Sequence, residues 1–453
     1  MTHGSSRVAR LATRDFLQPL LCSVLKLFYR RIEVTGREHL PADGPVVFVL
    51  NHPNSLMDPL VLLCRAGRPV SFLAKEPLFR TPLVGALVRA MDSIPVWRRM
   101  DQADTTKNQA TFAAARALLG MGGSLALFPE GQSHDAPRLL PFRTGAARIA
   151  LGAAENGGLD IVPAGLFYTE KDAFRSSVLL VFGPSVHVDP IAMAEDREPP
   201  PAIVRPLTQR LEDALGRLTL QADRHRALRL VAAAEEILRT ADEDPSRPTH
   251  LAARFATRQR LLEGYHRLRL EEPQDLDRLE RRLVRYHAML RAIGLTPALL
   301  PASGYRAGRV LQVTVRSLLV LLLLLPAALA GIVVNAPAWF VIQWIARRYA
   351  RRGVDVRATY KVIAGLILYP LTWTALAVIG WLRWGILGVT VGLMLGLPAG
   401  LAALLFLERL QPLLGGARGV ALAVLGRRRF LRLLAERRAI RDELRELAAK
   451  LGV

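Results

Sequence analysis

The feature that most constrains this chain is a set of apolar stretches near its C-terminus, each too long for an ordinary core helix. The run "SLLVLLLLLPAALAGIVV" covers residues 317–334, and "WFVIQWIA" continues it after "NAP". Two more stretches follow at residues 362–382 and 385–407, joined at Arg383. About 20 consecutive apolar residues are enough to cross a bilayer as a helix. These stretches are apolar on every face, which disfavours a soluble hairpin and predicts a membrane domain at residues 310–407.

The arginines beside these stretches predict how the membrane segments are arranged. Residues 347–361 and 426–430 are strongly basic, and such segments tend to stay on the cytoplasmic side. Keeping both on one side, together with the basic N-terminal region, requires an even number of crossings within the first apolar stretch. We therefore predict a re-entrant or broken hairpin at residues 317–345, interrupted at Asn335 and Pro337, in preference to one tilted span over 318–345.

Composition limits the classes of partner. The chain has 453 residues, enough for two or three structural units, with a hydrophobic fraction of 51% and a formal net charge of +22. A basic protein suits a polyanion, and the apolar excess favours an anionic membrane over nucleic acid. The two cysteines, Cys22 and Cys64, lie inside apolar runs, so we predict no disulfide framework and no cysteine zinc site. This cysteine usage favours an intracellular chain or one that faces the cytoplasm.

Residues 31–192 alternate short β-rich runs with helical stretches, a rhythm typical of an α/β domain whose mixed, largely parallel sheet is covered by helices. The proline-rich linker "DREPPPAIV" closes this zone. The candidate strands are "VVFVL", "PVSFLA", "SIPV", "SLALF", "IVPAGLFY" and "VLLVFG".

Three further zones read as helical. Residues 1–30 contain "LQPLLCSVLKLFYRR", which lacks a signal-cleavage site and predicts an interfacial N-terminal helix. Residues 202–300 are charged with a helical period and predict an all-α appendage. Residues 426–453 predict a basic amphipathic C-terminal helix.

The segment "NHPNSLMDPL" places a histidine and an aspartate directly after the strand "VVFVL". Functional sites of α/β sheets collect at the C-terminal ends of such strands. Asp58 precedes Pro59, a pair that fits a helix N-cap followed by proline at the first helical position. For an isolated pair, a loop histidine and a helix start would be the better interpretation. His52 is nevertheless the side chain type best suited to remove a proton near neutral pH, and an acidic neighbour would orient it.

Other segments add to this pair. "FPEGQSHDAPRLLPF" follows the strand "SLAL", "FLAKEPLF" to "IPVWRRMD" lies between the two motifs, and "IVPAGLFY" comes later. These four blocks, in this order, resemble the glycerolipid (PlsC-type) acyltransferase superfamily. Five residues lie between His52 and Asp58 where four are usual, and "FPEGQSHD" departs from the usual F-P-E-G-T-R-S. Both departures, and "DVRATYK" at 355–361, resemble the fungal and bacterial glycerol-3-phosphate and dihydroxyacetone-phosphate acyltransferases.

The resemblance implies an O-acyltransferase of phospholipid synthesis that moves a fatty acyl group from a thioester to the sn-1 hydroxyl of glycerol 3-phosphate or dihydroxyacetone phosphate. His52 would be the general base and Asp58 its orienting partner. Arg98, Arg99 and Arg143, from the corresponding motif positions, are candidates for binding the acceptor phosphate. The usual motif arginine of the third block is absent.

Glu130 and Gly131 would shape the acceptor pocket, with glycine allowing a close backbone approach. His134 and Asp135 form a second pair, which we expect to support the loop. All these residues precede residue 190, so we expect the membrane domain to hold the enzyme at the surface without forming the site. The resemblance implies no metal and no cofactor beyond the co-substrate, acyl-CoA or acyl carrier protein.

Several alternatives stay open at this stage. The acceptor could be glycerol 3-phosphate, dihydroxyacetone phosphate or a lysophospholipid such as 1-acylglycerol 3-phosphate, and the donor a coenzyme A or carrier-protein thioester. A non-catalytic membrane module that binds lipid in the same cleft is the competing class, although the intact His, Asp and F-P-E-G residues favour the enzyme. Expected partners are the two substrates and membrane lipid, without nucleic acid, and the expected location is a membrane with the catalytic domain on its cytoplasmic face.

Overall fold

The computed structural model describes residues 2–98, 101, 104–191, 198–242, 250–297, 307–349 and 353–451. The chain divides into two compact units, and each combines residues that are distant in sequence. The first unit comprises Met1–Gln221 and Ala350–Thr359, and the second comprises Ala222–Tyr349 and Tyr360–Val453.

The first unit is built on a mixed sheet in which most neighbouring strands are parallel, as the sequence predicts. The described residues form β1 Arg31–Thr35, β2 Val46–Leu50, β3 Ser71–Lys75, β4 Ile94–Val96, β5 Ser124–Leu127, β6 Leu159–Tyr168, β7 Ser177–Phe182 and β8 Val186–Val188. Their order is β1-β7-β6-β2-β5-β3-β4, with β8 beside β6. The strands from β6 through β4 run parallel to one another, whereas β7 and β8 are antiparallel to β6.

The centre of the sheet explains why the predicted strands form. All five residues of β2 are buried, and a run of β-branched and aromatic residues suits a strand covered on both faces. Six of the strands match the six predicted apolar runs. The two that were not predicted, β1 and β8, are partly exposed and lack a continuous apolar run.

Helices cover this sheet, and the last of them corrects a predicted boundary. The described helices of the first unit are α1 Thr2–Phe28, α2 Met57–Arg65, α3 Glu76–Phe79, α4 Pro82–Ala90, α5 Asn108–Gly120, α6 Gly145–Ala153 and α7 Pro201–Gly216. Val204, Leu207 and Leu211 on α7 are buried in the same core as β2 and β5. The α/β domain therefore includes α7, and the predicted end at residue 192 and appendage start at residue 202 are wrong. Residues 201–204, the last four of the predicted linker "DREPPPAIV", belong to α7 itself.

The N-terminal helix is fastened to the α/β domain. Leu25 and Phe28 are buried, and Arg14 donates to the carbonyl oxygen of Val70 at 3.2 Å. Cys22 on α1 and Cys64 on α2 form a disulfide with sulfur atoms 2.11 Å apart. The prediction that cysteine contributes no disulfide is therefore wrong, because folding brings two separate apolar runs together. Cysteine usage therefore no longer supports a cytoplasmic location. The positions of the basic segments still support it.

The second unit contains a bundle formed by α8 His225–Asp242, α9 Leu251–Glu271, α10 Pro273–Ala292 and α13 Arg427–Leu451. The apolar side chains of α8, α10 and α13 form one buried cluster. Arg282 on α10 donates to Glu436 and Glu443 of α13, at 2.7 Å in each case. The apolar face of the C-terminal helix is thus covered by protein.

The first apolar stretch is a single helix, α11 Ala307–Tyr349, which continues through Pro326 and Pro337. The predicted re-entrant or broken hairpin at residues 317–345 is therefore wrong. Asn335 does not interrupt the helix because its side chain is satisfied where it lies: Nδ2 donates to the Gly331 carbonyl at 2.9 Å, and Trp373 Nε1 donates to Oδ1 at 2.9 Å.

The remaining apolar stretch, α12 Arg357–Leu425, leaves helical geometry at Trp384 and Gly385, at the connection predicted near Arg383. A Cβ built on Gly388 would lie 1.9 Å from the carbonyl oxygen of Gly380, so the two halves pack back to back through glycines. Thr314–Tyr349 and Val354–Arg418 are long and apolar enough to cross a membrane, with mean hydropathies of 2.8 and 2.1. Together with the sequence relatives described below, they indicate membrane association.

Candidate active site

The topology of the sheet brings the sequence motifs together. Strands β2, β4, β5 and β6 run parallel, so their C-terminal ends lie along one edge. His52 follows β2, Arg98 follows β4, Phe128 follows β5, and Tyr168 ends β6. Four segments that are far apart in sequence thus contribute side chains to one place.

His52 and Asp58 form a hydrogen-bonded pair, with Nδ1 of the imidazole 2.8 Å from Oδ2 of the carboxylate. The Asp58 side chain is fully buried, and that of His52 is 17% exposed. Helix α2 begins at Met57, which places Asp58 inside its first turn. The interpretation of Asp58 as an N-cap is therefore wrong: its carboxylate turns back toward His52 and the preceding loop.

The unusual five-residue spacing does not separate the pair. Ser55 has a φ of +42°, a left-handed conformation that bends the loop tightly. The loop is closed by two bonds, from Met57 N to the Asn54 carbonyl oxygen at 2.9 Å and from Asn54 N to Asp58 Oδ2 at 2.7 Å. The additional residue is accommodated in a compact turn that leaves His52 and Asp58 in contact.

The donors around Asp58 define which nitrogen of His52 can act as a base. Asp58 Oδ1 accepts a hydrogen bond from the Tyr168 hydroxyl at 2.6 Å, while Oδ2 accepts from Asn54 N and contacts His52. Burial and the negative charge of Asp58 raise the pKa of Tyr168 well above its usual value, so this hydroxyl stays protonated and donates. A carboxylate accepts only, so Nδ1 of His52 carries a hydrogen and Nε2 keeps its lone pair.

The F-P-E-G segment holds His52 from the other side. The imidazole stacks on the Phe128 ring with centroids 3.9 Å apart and planes 14° apart. Glu130 is buried, and its Oε1 accepts the backbone N–H of His52 at 3.0 Å. Its Oε2 accepts the N–H of Leu140 at 2.8 Å. Glu130 therefore joins the two motif loops from within the protein.

His134 has a supporting role, as the sequence suggests. Its Nδ1 accepts the Ala136 N–H at 3.1 Å, which leaves Nε2 to donate to Glu130. Its backbone N–H also donates to the carbonyl oxygen of His52 at 3.1 Å. With the Nδ1 lone pair engaged and Nε2 directed at a carboxylate, His134 has no free acceptor with which to take a proton from substrate.

Two of the three predicted arginines meet at Gly131. Arg98 Nη1 donates to the Gly131 carbonyl oxygen at 2.7 Å, and a Cβ built on Gly131 would lie 2.5 Å from Arg143 Nε. The φ of Gly131 is +75°, a backbone conformation that favours glycine here. Arg99 lies outside the described residues.

The two described arginines differ in how far their charge is already used. Arg98 makes two bonds to Asp101, at 2.6 and 2.9 Å, and these bonds lower the pKa of Asp101. Arg143 is exposed beside the F-P-E-G loop, and its charge has no ion-pair partner among the described residues. Arg143 is therefore the better placed of the two to bind an anion.

Sequence reasoning missed Tyr168 and Asn54, which support the His52–Asp58 pair, called the dyad below, through contacts with Asp58. Tyr168 ends the predicted strand "IVPAGLFY", and its place at the edge with His52 was the available signal. Asn54 is buried and donates through Nδ2 to Tyr29 and to the Lys171 carbonyl oxygen. Within the described residues, no three His, Cys, Asp or Glu side chains are grouped as a metal site would require.

We expect Tyr168→Phe to lower turnover about fivefold, because one donor to the buried carboxylate is worth about 1 kcal/mol while the contacts from Asn54 and His52 persist. Tyr29→Phe is the matched control, since the Tyr29 hydroxyl contacts Asn54 and its loss leaves Asp58 fully bonded. Steady-state turnover of the two variants provides the comparison. Equal turnover for Tyr168→Phe and wild type would show that the third donor is dispensable.

Comparisons with known proteins agree with this geometry. Residues 31–166 match the Acyltransferase family model, and residues 242–452 match the model of the Glycerol-3-phosphate acyltransferase 2 C-terminal domain. A 1-acyl-sn-glycerol-3-phosphate acyltransferase of Borreliella burgdorferi is 30% identical over 39% of this chain and 68% of its own length.

Two fungal proteins are similar over more of the chain. An uncharacterized acyltransferase of Schizosaccharomyces pombe is 23% identical over 80% of this chain and 67% of its own length. Glycerol-3-phosphate O-acyltransferase 2 of Saccharomyces cerevisiae is 26% identical over 61% of this chain, which spans only 39% of that relative. The family matches and the intact dyad together show that this chain belongs to the PlsC-type acyltransferase family, with an acyltransferase domain followed by the C-terminal domain of glycerol-3-phosphate acyltransferase 2.

Proposed function

We propose that the protein is a membrane-bound glycerol-3-phosphate O-acyltransferase that uses an acyl thioester and forms lysophosphatidic acid. The observation that carries the proposal is the His52–Asp58 pair beside the F-P-E-G loop, with Arg143 exposed at its edge. The match of residues 242–452 to a glycerol-3-phosphate acyltransferase C-terminal domain supports this choice of acceptor. The proposed co-substrate is a coenzyme A or acyl carrier protein thioester, with no further cofactor.

The geometry supports direct transfer. Nε2 of His52 takes the proton from the acceptor hydroxyl as its oxygen attacks the thioester carbonyl carbon. Collapse of the tetrahedral intermediate breaks the carbon–sulfur bond, and the departing thiolate receives a proton from the imidazolium. Asp58 fixes the ring through Nδ1 and offsets the positive charge that His52 carries during the reaction. No covalent enzyme intermediate is required.

A second acceptor is favoured by one comparison. The Borreliella relative, at 30% identity, carries the name 1-acyl-sn-glycerol-3-phosphate acyltransferase. That similarity is confined to 39% of this chain, whereas the C-terminal match is to a glycerol-3-phosphate enzyme. Lysophosphatidic acid is therefore the second candidate acceptor.

Incubation of the purified full chain with labelled acyl-CoA and one acceptor at a time tests the proposal. We expect glycerol 3-phosphate to yield labelled lysophosphatidic acid, with dihydroxyacetone phosphate and lysophosphatidic acid as the competing acceptors. Acyl carrier protein thioester replaces acyl-CoA in a parallel series. Product formed only from lysophosphatidic acid would assign the second function, and transfer to none of the three would contradict the proposal.

We expect Arg143→Ala to raise the KM for the phosphate acceptor about 10- to 100-fold, because a hydrogen bond to a charged group contributes about 1.5 to 3 kcal/mol. The KM for the acyl donor should stay close to that of wild type. Arg138→Ala is the matched control, since Arg138 is another exposed arginine of the same loop region. Equal acceptor KM values for the two variants would place the phosphate site elsewhere.

We propose that the catalytic domain faces the cytoplasm, where basic segments are retained and anionic lipid attracts them. Single cysteines at Met121 and Trp384 in a background without Cys22 and Cys64 test this orientation. An impermeant thiol reagent should label Met121 from the cytoplasmic face and Trp384, at the turn of α12, from the opposite face. Labelling of Met121 from the Trp384 side would contradict this arrangement.

A further inference from the structure

The segment that joins α11 to α12 packs on the loops of the active site. Residues 353–359, which include the first turn of α12, belong to the first compact unit. Asp355 Oδ2 accepts a hydrogen bond from the Ser133 hydroxyl at 2.6 Å, and Thr359 Oγ1 accepts the backbone N–H of Leu56 at 3.2 Å. The expectation that every residue forming the site precedes residue 190 is therefore incomplete.

The first contact, between Asp355 and Ser133, involves the loop of the F-P-E-G segment, which we call the acceptor loop. Asp355 is 7% exposed, and Ser133 lies two residues after Gly131 in "FPEGQSHD". A short bond from a hydroxyl to a carboxylate is among the stronger hydrogen bonds in proteins. A Cβ built on Gly353 would lie 2.2 Å from Asp355 Oδ1, so the glycine leaves room for the carboxylate in this position.

The second contact, between Thr359 and Leu56, involves the loop between β2 and α2 that carries His52, which we call the dyad loop. Leu56 directly precedes α2, and its own side chain provides no cap. Its N–H is one of the donors that a helix start leaves without an intrahelical partner. Thr359 accepts that donor from a segment 303 residues later in the chain, and thereby holds the start of the helix that carries Asp58.

We propose that Asp355 and Thr359 are positioning residues of the active site: Asp355 positions the acceptor loop through Ser133, and Thr359 positions the dyad loop through Leu56. The proposal rests on the function proposed above. The two contacts serve different loops, so they should affect different kinetic constants. Asp355 lies between α11 and α12 in sequence and Thr359 lies in the first turn of α12, so the connection between these two helices supplies residues that position the active site.

The contact between Asp355 and Ser133 is tested in the full chain with the variants Asp355→Ala and Ser133→Ala. Each should raise the KM for glycerol 3-phosphate about tenfold with little change in the KM for acyl-CoA. The double variant should be no worse than either single variant, since both remove the same bond. Ser133→Thr retains a hydroxyl and should restore a KM near that of wild type.

Controls separate positioning from general damage. Arg357 lies in the same segment as Asp355 and forms an exposed ion pair with Asp172 at 3.5 Å. Arg357→Ala removes this ion pair and should leave both KM values unchanged. Thr359→Val should lower kcat with little effect on the acceptor KM. Unfolding midpoints near that of wild type confirm that each variant is folded.

Hydrogen exchange provides a readout that does not depend on activity. Asp355→Ala should increase amide exchange in residues 130–140 and leave α5 unchanged, whereas Arg357→Ala should change neither. Inactivity of wild type toward glycerol 3-phosphate, together with this exchange pattern, would contradict the proposed function and leave the positioning role supported. Unchanged exchange in Asp355→Ala, or an acceptor KM equal to that of Arg357→Ala in an active enzyme, would overturn the inference.

Discussion

Replacing His52 with alanine is expected to lower turnover by about two to four orders of magnitude while leaving the fold intact, because general base catalysis contributes about that much. The ring is partly exposed, so its removal leaves no large buried cavity. The KM for the acceptor should change far less than kcat, since the phosphate is held elsewhere. Steady-state kinetics and an unfolding midpoint for the same preparation provide the measurement.

The matched control uses the other end of the sheet. His187 pairs with Asp160 at 3.0 Å, and its side chain is 58% exposed. His187→Ala removes a His–Asp contact of similar length without touching the motif loops, and should retain wild-type turnover. Near wild-type turnover in a folded His52→Ala variant would remove His52 from the mechanism.

Asp58→Asn is expected to lower turnover about a hundredfold or more, and it isolates the charge of Asp58 from its contacts. The amide oxygen can replace Oδ2, which accepts from Asn54 N and His52 Nδ1. The amide nitrogen then faces Tyr168, whose hydroxyl can turn to accept. The hydrogen-bond pattern and the tautomer of His52 survive, while the negative charge that offsets the imidazolium is lost.

Turnover and stability together distinguish the outcomes for this variant. A loss of turnover with an unfolding midpoint close to that of wild type supports the electrostatic role. Comparison with Asp58→Ala, which also leaves buried donors without a partner, should show a larger loss of stability. Wild-type turnover in Asp58→Asn would mean that Asp58 only orients the ring.

The sequence was sufficient to predict much of the site, because parallel strands place their C-terminal ends along one edge. Once "VVFVL" and "SLALF" are recognised as neighbouring buried strands, His52 and the F-P-E-G loop must lie close together. The sequence was enough to propose His52 and Asp58 as a pair. It could not show that the two side chains contact each other across five intervening residues. That contact depends on the left-handed backbone conformation of Ser55, which the sequence around Ser55 does not predict.

Other features depend on contacts between distant segments, which composition and periodicity do not encode. The buried partner of Ser133 is Asp355, which lies 222 residues later. The pairing of Cys22 with Cys64 depends on how α1 and α2 meet. In α11, proline and asparagine indicated a break, but the neighbouring helix satisfies Asn335 and the helix continues.

The central claim is that His52, held by Asp58, activates the hydroxyl of glycerol 3-phosphate for attack on an acyl thioester. The most direct measurement is the release of free coenzyme A thiol from acyl-CoA by wild type and His52→Ala, each with and without glycerol 3-phosphate. Mass spectrometry identifies the acylated product in the same samples. The account predicts that wild type releases thiol only with the acceptor and forms lysophosphatidic acid. It predicts that the rate of His52→Ala is lower by about a hundredfold or more. Equal acceptor-dependent rates in the two proteins, or thiol release by wild type that does not depend on the acceptor, would contradict it.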